Sequence, residues 1–290
     1  MMTETPMSGP VRAAVVQMVS GMEVASNLTA AGGLIGQAVG QGARLVVLPE
    51  NFAFLGRHQR DVLGVAEAPG EGPIQSFLAR TARHHGITLV GGSVPLQGDE
   101  SDRVRAASLV FGPDGDCLAR YDKRHLFDVS LPGGEVYRES STFAPGDAVV
   151  VAETPAGMLG LSICYDLRFP EHYRALVDGG ATILLAPSAF TATTGAAHWS
   201  VLVRARAIEN GCYVLAPDQG GLHANERMTH GESLIVDPWG ACLANAGIGS
   251  GPGIAVADLD PAHQQAIRER LPSLGARPIG PAVQLGEAGR

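Results

Sequence analysis

The chain of 290 residues is 45% hydrophobic and 17% charged, with a formal net charge of −8 at neutral pH. A chain of this size and composition can bury a large apolar core, so we expect a compact globular protein. Because the charge is acidic and Lys and Arg do not cluster, neither a nucleic acid nor an anionic membrane is an expected partner.

The sequence contains no pattern typical of a targeting segment or of a metal site. No stretch of about 18 consecutive apolar residues occurs, and the first residues lack a basic segment followed by an apolar run, which favours a cytoplasmic location. The four cysteines, at positions 117, 164, 212 and 242, are too widely spaced for a zinc site or a disulfide framework. We expect Cys117, Cys212 and Cys242 to be small buried side chains, and we expect no metal or cofactor.

The first hundred residues alternate short apolar runs with longer amphipathic ones. Apolar runs rich in β-branched residues predict strands, and apolar residues spaced by three and four predict helices. The predicted strands cover residues 12–18, 43–48 and 87–94, and the predicted helices cover residues 27–41 and 74–85. This order is typical of strand-helix-strand units.

Three pairs of apolar runs are joined by short turns that contain Pro or Gly, a pattern typical of β-hairpins. The turns are PDGD, TPAG and DPWG. The hairpin strands are predicted over residues 105–111 and 117–121, 149–153 and 158–164, and 232–236 and 241–244.

Helices and strands also alternate in the second half of the chain. Pro170 in the first turn, Glu171 near the N-terminus and Gly179 after the last turn delimit one helix. Further strands are predicted over residues 182–185 and 213–216, and further helices over residues 198–210 and 261–270.

This mixture of elements predicts an α/β protein with mixed β-sheets and helices outside them. No low-complexity linker and no repeat of 20 to 50 residues interrupts the pattern. We therefore predict one domain over residues 1–271 and a tail rich in Pro and Gly over residues 272–290.

Cys164 lies in the segment GLSICYDLRFPE, where a predicted strand ends and a helix follows. An α/β fold exposes reactive groups at such corners, and a nearby helix N-terminus lowers the pKa of a thiol. Cys164 is therefore a candidate nucleophile, although its position alone fits a buried structural thiol equally well. A nucleophile needs a base, which we expect at the end of another strand.

Glu50 follows the predicted strand over residues 43–48, so its carboxylate is expected to be half-buried and suited to act as a general base. Lys123, in the polar run YDKRHLFD, also follows a strand and would supply positive charge for an oxyanion. Spacing alone does not distinguish Glu139, in GEVYRESSTFAPG, from an ordinary loop carboxylate. Each of these residues, taken singly, also fits a solvated surface position.

Other catalytic patterns are missing from the sequence. It contains no GxSxG, GxxxxGK[ST] or HExxH motif and no strand-GxGxxG-helix pattern. Activation of Cys164 by one of the nine histidines stays open, but none of them lies in a context as suggestive as that of Glu50.

Three motifs, in this order, resemble the signatures of one enzyme family. LPENFAF at 48–54, YDKRHLFD at 121–128 and GLSICYDLRFPE at 160–171 closely resemble the Glu, Lys and Cys motifs of the nitrilase superfamily of carbon-nitrogen hydrolases. The likeness extends through PSAFTATTGAAHW, RARAIENGCYV and GESLIVDPWG and covers about residues 12–271. Three motifs in the correct order are far more specific than any one of them.

The resemblance implies a role for each matched residue. Cys164 would be the nucleophile, Glu50 the general base and Lys123 the electrostatic stabiliser, while Glu139 would position the substrate and support the base. The backbone N–H of Tyr165 would help to hold the oxyanion. The resemblance also implies a four-layer αββα sandwich and homodimers that stack sandwich on sandwich, with the C-terminal tail a candidate for the dimer interface.

The motifs of this chain favour amides over nitriles. Nitrile-cleaving members usually have Cys-Trp-Glu at the nucleophile, whereas this chain has Cys-Tyr-Asp. The pattern resembles the branch that contains omega-amidase and deaminated-glutathione amidase. This implies hydrolysis of a small carboxamide, in the first place deaminated glutathione, to an acid and ammonia. Arg168 and Glu171 match the motif and are expected to be structural supports rather than catalysts.

Several alternatives remain open. An omega-amidase acting on α-keto acid amides or an N-carbamoyl amino acid hydrolase would use the same residues, and a catalytically silent scaffold protein would have the same fold. The C-terminal LPSLGARPIGPAVQL also departs from the branch, whose members commonly end in a basic segment with an aromatic residue. This departure leaves the substrate specificity open.

Overall fold

The computed structural model describes residues 9–131, 134 and 136–276, so most of the predicted C-terminal tail lies outside the described residues. The helices are α1 Val24–Gly40, α2 Pro73–His85, α3 Pro170–Asp178, α4 Ala192–Asn210 and α5 Pro261–Arg270. Short 3₁₀ helices cover Gln59–Gly64, Glu139–Ser141 and Cys164–Arg168. No helix of the described ranges combines the length and apolar character needed to cross a membrane.

The strands are short, and besides the predicted ones several lie in segments for which no strand was predicted. They are β1 Val11–Gln17, β2 Leu45–Val47, β3 Thr88–Val90, β4 Val94–Gln97, β5 Val104–Phe111, β6 Cys117–Asp122, β7 Asp128–Ser130, β8 Val136–Arg138, β9 Val151–Thr154, β10 Gly157–Gly160, β11 Ile183–Leu185, β12 Tyr213–Ala216, β13 Gly220–Leu222, β14 Met228–His230, β15 Leu234–Val236, β16 Cys242–Asn245 and β17 Gly253–Leu259. The three predicted hairpins are confirmed as β5–β6, β9–β10 and β15–β16.

Two mixed sheets form the centre of the molecule. The first has the strand order β17-β1-β2-β3-β5-β4, with β6 also paired to β5, and the second has the order β16-β15-β12-β11-β10-β9. Neighbours among β1, β2 and β3 are parallel, as are neighbours among β10, β11 and β12. The two remaining small sheets are the hairpins β7–β8 and β13–β14.

Alternate side chains of the first sheet belong to two different cores. In β1, Ala13 and Val15 pack in the core that contains the second sheet, while Ala14 and Val16 pack in the core that contains α1 and α2. This alternation follows from the two-residue period of a strand. Because α3 and α4 contact the second sheet, the layers run helix, sheet, sheet, helix. The predicted αββα sandwich is confirmed.

The prediction of one continuous strand over residues 87–94 is wrong. The segment is interrupted in its middle, and β3 and β4 are separate strands. Gly92 has a φ of +46°, and a Cβ at this position would lie 2.0 Å from the carbonyl oxygen of Pro49. Only glycine permits so close an approach. The hydroxyl of Ser93 then accepts a hydrogen bond of 2.8 Å from the N–H of Asn51. The turn between β3 and β4 therefore fixes the position of the loop that follows β2.

The helix predicted over residues 198–210 begins earlier, at Ala192. Thr191 caps it, since its hydroxyl accepts a hydrogen bond of 3.2 Å from the N–H of Thr194, as expected of an N-cap threonine. The prediction missed this start because the first turn, ATTG, is polar and small and has no apolar period.

The predicted burial of the three non-catalytic cysteines is confirmed only for Cys212. Cys117 and Cys242 are exposed. Each is the first residue of an edge strand, β6 and β16 respectively, and the apolar pattern of a short edge strand does not fix which of its residues are covered.

Candidate active site

Three loops that follow β2, β6 and β10 bring Glu50, Lys123 and Cys164 together. The Nζ of Lys123 donates a hydrogen bond of 2.8 Å to Oε1 of Glu50 and one of 2.9 Å to Oε1 of Glu139. The Cys164 thiol and the Glu50 carboxylate line the same cavity and interact electrostatically. The structure therefore places all four side chains that the motifs singled out in one cluster.

Lys123 is a buried cation between two carboxylates, with 2% of its surface exposed. Burial lowers the pKa of Lys123, but the charges of Glu139 and Glu50 raise it well above its usual range. Lys123 is therefore a fixed positive charge at neutral pH. The second oxygen of Glu139 accepts a hydrogen bond of 2.6 Å from the N–H of Phe127, which fixes this carboxylate on the far side of the lysine.

The pKa of Glu139 is raised, first because burial disfavours its charge, and the nearby Glu50 adds to the effect while Lys123 opposes it. Lys123 is thus the shared ion-pair partner of Glu50 and Glu139, two carboxylates that repel each other. This coupling makes the charge state of each member depend on the other two.

Cys164 occupies a sharp turn with a φ of +48°, a backbone conformation that is uncommon for residues other than glycine. Its N–H donates a hydrogen bond of 2.9 Å to the carbonyl oxygen of Pro187. A short 3₁₀ helix begins at Cys164, and α3 follows at Pro170. The predicted corner between strand and helix is therefore present, but β10 ends at Gly160 rather than at Cys164, and the 3₁₀ turn lies between the strand and α3.

The surroundings of the thiol favour its protonated form. Burial raises the pKa of Cys164 well above its usual range, and the charge of Glu50 raises it further, whereas Lys123 and the N–H of Ala189 lower it. The expectation that a helix N-terminus lowers this pKa is wrong, because desolvation and the Glu50 charge dominate. The thiol is protonated at rest, so it needs a base, and Glu50 interacts with it in the same cavity.

Asp166 is a buried carboxylate whose role the sequence interpretation missed. Its Oδ2 accepts hydrogen bonds from the hydroxyl of Tyr121 at 2.6 Å and from the N–H of Ile163 at 2.8 Å. Its Oδ1 accepts one of 3.1 Å from the N–H of His125. These bonds join the turn of Cys164 to the loop that carries Lys123. The signal in the sequence was an acidic residue two positions after the candidate nucleophile.

A cavity of about 660 Å³ lies over the cluster, within the range of small-molecule sites. Glu50, Lys123, Glu139 and Cys164 all contribute to its wall. Aromatic side chains and the first turn of α4 complete much of the rest: Phe54, Phe127, Tyr137, Phe143, Tyr165, Phe190, Ala192, Thr193 and Thr194.

The two residues expected to be structural supports lie in different places. Arg168 is part of the cavity wall, with its guanidinium carbon 5.3 Å from the ring centroid of Phe190 and Nη1 3.2 Å from Nδ1 of His198. Glu171 is exposed in the first turn of α3 and does not line the cavity. Arg168 therefore faces the space that a substrate would occupy, rather than standing behind it.

Histidine has little part in this cavity. Among the described residues that line it, His58 is the one histidine, and it is exposed. Within the described ranges, no group of three or more His, Cys, Asp or Glu side chains is arranged to hold a metal ion.

The sequence of this chain places it in a known enzyme family. Residues 12–269 match the family model of the carbon-nitrogen hydrolases, and the chain belongs to that family, within the nitrilase superfamily. A deaminated glutathione amidase from Synechocystis sp. is 46% identical over 272 residues, which are 92% of this chain and 98% of that protein. The protein is accordingly an amidase, a hydrolase of carbon-nitrogen bonds.

Solved structures with the same fold agree with this assignment. The Caenorhabditis elegans NitFhit protein is similar with a TM-score of 0.86 and 36% identity over 93% of this chain, which spans 65% of that longer chain. A mutant amidase from Nesterenkonia sp. AN1 has a TM-score of 0.74 and 29% identity, covering 90% of this chain and 98% of its own. That structure shows the Michael addition of acrylamide at the active-site cysteine.

Proposed function

We propose that this amidase acts through a thioester on Cys164 and that deaminated glutathione is its substrate. The interaction of the Cys164 thiol with Glu50, which is itself paired with Lys123, carries the catalytic part. The substrate part is supported by the similar protein from Synechocystis sp., which bears the name deaminated glutathione amidase.

Acylation begins when Glu50 takes the thiol proton and the sulfur of Cys164 attacks the amide carbonyl carbon. The electron pair of the C=O bond moves to oxygen, and the oxyanion is held by Lys123 and the backbone N–H of Tyr165. The C–N bond then breaks, and Glu50 gives its proton to the departing nitrogen. A thioester remains on Cys164.

Deacylation repeats this chemistry with water. Glu50 takes a proton from a water molecule, whose oxygen attacks the thioester carbonyl while Lys123 again stabilises the oxyanion. The C–S bond breaks, the proton returns to the sulfur, and the carboxylic acid leaves. Glu139 holds the opposite side of the lysine and so supports its position next to Glu50.

The leaving group depends on the kind of amide. The prediction that hydrolysis releases ammonia applies to a primary carboxamide but is wrong for deaminated glutathione. Deaminated glutathione has no primary carboxamide, because its amides are the peptide-type links of a tripeptide, so its hydrolysis releases an amine. An assay for this substrate therefore has to measure the acid or the amine rather than ammonia.

The test is a substrate panel for the wild-type protein and two variants, with product acids measured by mass spectrometry. The panel contains deaminated glutathione, α-ketoglutaramate and an N-carbamoyl amino acid. We expect the highest kcat/KM with deaminated glutathione, an acyl adduct on Cys164, and no turnover by Cys164→Ala. Cys117→Ala, which removes an exposed thiol outside the cavity wall, is the matched control and should keep full activity.

Each part of the proposal can fail separately. If deaminated glutathione is turned over no better than α-ketoglutaramate, the substrate proposal is wrong. If Cys164→Ala retains activity and no adduct forms, the thioester proposal is wrong. Binding without turnover of any amide would instead indicate a catalytically silent scaffold.

Three further statements remain predictions. They are the single domain over residues 1–271, the assembly into homodimers or higher homo-oligomers, and the cytoplasmic location. Light scattering of the purified protein measures the assembly state directly.

A further inference from the structure

The cavity wall contains three arginines, of which Arg57 is exposed and two, Arg168 and Arg227, are half-buried. Neither forms an ion pair with any carboxylate in the part of the chain that the structure describes. Lys123, in the same wall, is paired with two. A cation that has lost part of its water without gaining a counter-ion is costly. A ligand that brings negative charge would recover that cost.

Arg227 is the less satisfied of the two arginines. It is half-buried and precedes β14 in the β13–β14 hairpin, and its Nη2 donates a hydrogen bond of 2.7 Å to the carbonyl oxygen of Ala189. Its Nε is buried without any hydrogen-bond partner, and no partner for its Nη1 occurs within the described ranges. Arg168, by contrast, packs on two rings and contacts His198.

Arg227 lies in the same cavity wall as the nucleophile Cys164. Its guanidinium carbon lies 5.4 Å from the ring centroid of Tyr137, across the cavity wall. Ala189, whose carbonyl oxygen Arg227 binds, has an N–H that lowers the pKa of Cys164, and both residues line the cavity. Arg227 is therefore bound to a residue of the same cavity wall that contains the reacting sulfur.

Two nearby carboxyl groups do not neutralise Arg227. Burial raises the pKa of Asp218 well above its usual range despite the opposing charge of Arg227, and its two oxygens accept backbone N–H bonds from Phe190 and Gly231. Glu226 is exposed beside Arg227 in the chain and forms no ion pair with it among the described contacts. The charge of Arg227 is therefore available to a ligand.

We infer that Arg227 binds a carboxylate of the substrate and so selects anionic amides over neutral ones. This inference rests on the proposed function, since it assigns a recognition role at the same site. A guanidinium is suited to the task because its N–H groups form strong charge-assisted bonds to carboxylates. The carboxylate belongs either to the acyl part that remains on Cys164 or to the departing amine, and the chemistry of recognition is the same.

The experiment compares matched substrates rather than activity on one substrate. In the first pair, succinamate carries a carboxylate in the acyl part and butyramide replaces it with a methyl group. In the second pair, the butyryl amide of glycine carries a carboxylate in the leaving amine and that of glycinamide does not. The variants are Arg227→Gln and Arg227→Lys. Arg44→Gln, which removes an exposed arginine remote from the cavity wall, is the control for net charge.

We expect Arg227→Gln to lower kcat/KM for the carboxylate member of at least one pair by about 10- to 100-fold, mainly through KM, the range of a hydrogen bond to a charged group. The neutral member should change less than about twofold, since it makes no such bond. Arg227→Lys should fall in between, and Arg44→Gln should leave both members unchanged. The pair that responds identifies whether the acyl part or the amine carries the carboxylate.

Two results would overturn the inference. Equal losses on the charged and neutral members would mean that Arg227 supports the wall without recognising charge, and no loss on either charged member would mean that it makes no contact. Thermal melting of each variant excludes a folding defect as the cause of equal losses. If neither deaminated glutathione nor any of the four amides acylates Cys164 of the wild-type protein, the proposed function itself has failed, and the inference falls with it.

Discussion

The charged side chains at the two ends of the cavity differ in whether they have partners of opposite charge. At the inner end, Glu50, Lys123 and Glu139 form a closed set in which every charge faces an opposite one at 2.8 to 2.9 Å. Along the outer wall, Arg168 and Arg227 contact rings, a histidine and a backbone carbonyl but no carboxylate of the described residues.

This difference separates the chemistry from the selection of the substrate. A closed set of buried charges is held rigidly and needs no ligand to complete it, which suits groups that must be in position before the reaction begins. A guanidinium without a carboxylate partner gains one only when an anionic ligand binds, so its contribution to the binding free energy depends on the ligand. Changes at the inner end should therefore affect every substrate, whereas changes at the wall should affect substrates unequally.

The largest effect is expected from Glu50→Gln, which leaves the shape of the inner end intact and removes its base. We expect kcat/KM to fall by about a thousandfold or more for every amide tested, because Glu50 acts in both half-reactions. A mechanism in which a histidine activates Cys164 predicts instead that most activity remains. Steady-state kinetics on the substrate panel distinguish the two.

Glu67→Gln is the matched control for that experiment. Glu67 is also a buried carboxylate, but it accepts hydrogen bonds from the N–H groups of Ile74 and Gln75 at the start of α2 and does not line the cavity. Its loss should lower stability and leave the activity of the folded protein unchanged. A thousandfold loss in both variants would show that burying an amide, not removing a base, is responsible.

A smaller and mixed effect is expected from Asp166→Asn, which loosens the bonds that join the turn of Cys164 to the loop of Lys123. An asparagine has a single acceptor oxygen for the N–H and O–H donors that face Asp166, so at least one buried donor loses its partner, at a cost of about 1–3 kcal/mol in the free energy of unfolding. Activity should fall about tenfold or more for all substrates alike, because the loop of Lys123 shifts. Chemical denaturation and kinetics measure the two effects.

Asp122→Asn is the corresponding control, since Asp122 pairs with Arg120 on the partly exposed side of β6. Such surface pairs contribute little, about 0–1 kcal/mol. If Asp166→Asn discriminates between charged and neutral amides, the separation of chemistry from selection is contradicted.

The smallest effect concerns pH and a buried histidine beneath the active-site turn. Nε2 of His172 lies 3.1 Å from the carbonyl oxygen of Leu161, and Nδ1 lies 3.2 Å from Nη1 of Arg124. The arginine is a donor, so the proton of the neutral ring is assigned to Nε2. Burial lowers the pKa of His172, although the charge of Asp166 raises it. Protonation would place a second cation against Arg124.

Because the folded pKa lies below the unfolded value of about 6.5, the unfolded chain binds more protons in that interval. Stability should therefore be lost as the pH falls from about 6.5 towards the folded pKa, by up to about 1.4 kcal/mol per pH unit for this histidine. His172→Gln should flatten this dependence, and the exposed His84→Gln should not. An unchanged pH slope in His172→Gln would contradict the prediction; urea unfolding at pH 7, 6 and 5 measures it.

Much of the site could be predicted from the sequence because its members follow recognisable strands. Glu50 follows an apolar run and Lys123 follows β6, and parallel or paired strands carry such residues to one edge of a sheet. Glu139 gave no such signal, and its place became visible only through the resemblance. Its contact with Lys123 depends on the 3₁₀ turn that it begins, which no apolar pattern marks.

The chain by itself determined the three hairpins, the helix boundaries at Pro170 and Pro261 and the candidate nucleophile with its base, because these follow from local spacing and turn chemistry. It did not determine β17, which pairs along the whole of β1, because no turn or periodic signal marks that strand. The tertiary structure decided which charges are paired. Glu50 and Lys123 are 73 positions apart, and Asp166 and Tyr121 are 45 apart. Whether a side chain such as Arg227 finds a partner depends on every segment folded around it, and local sequence does not contain that information.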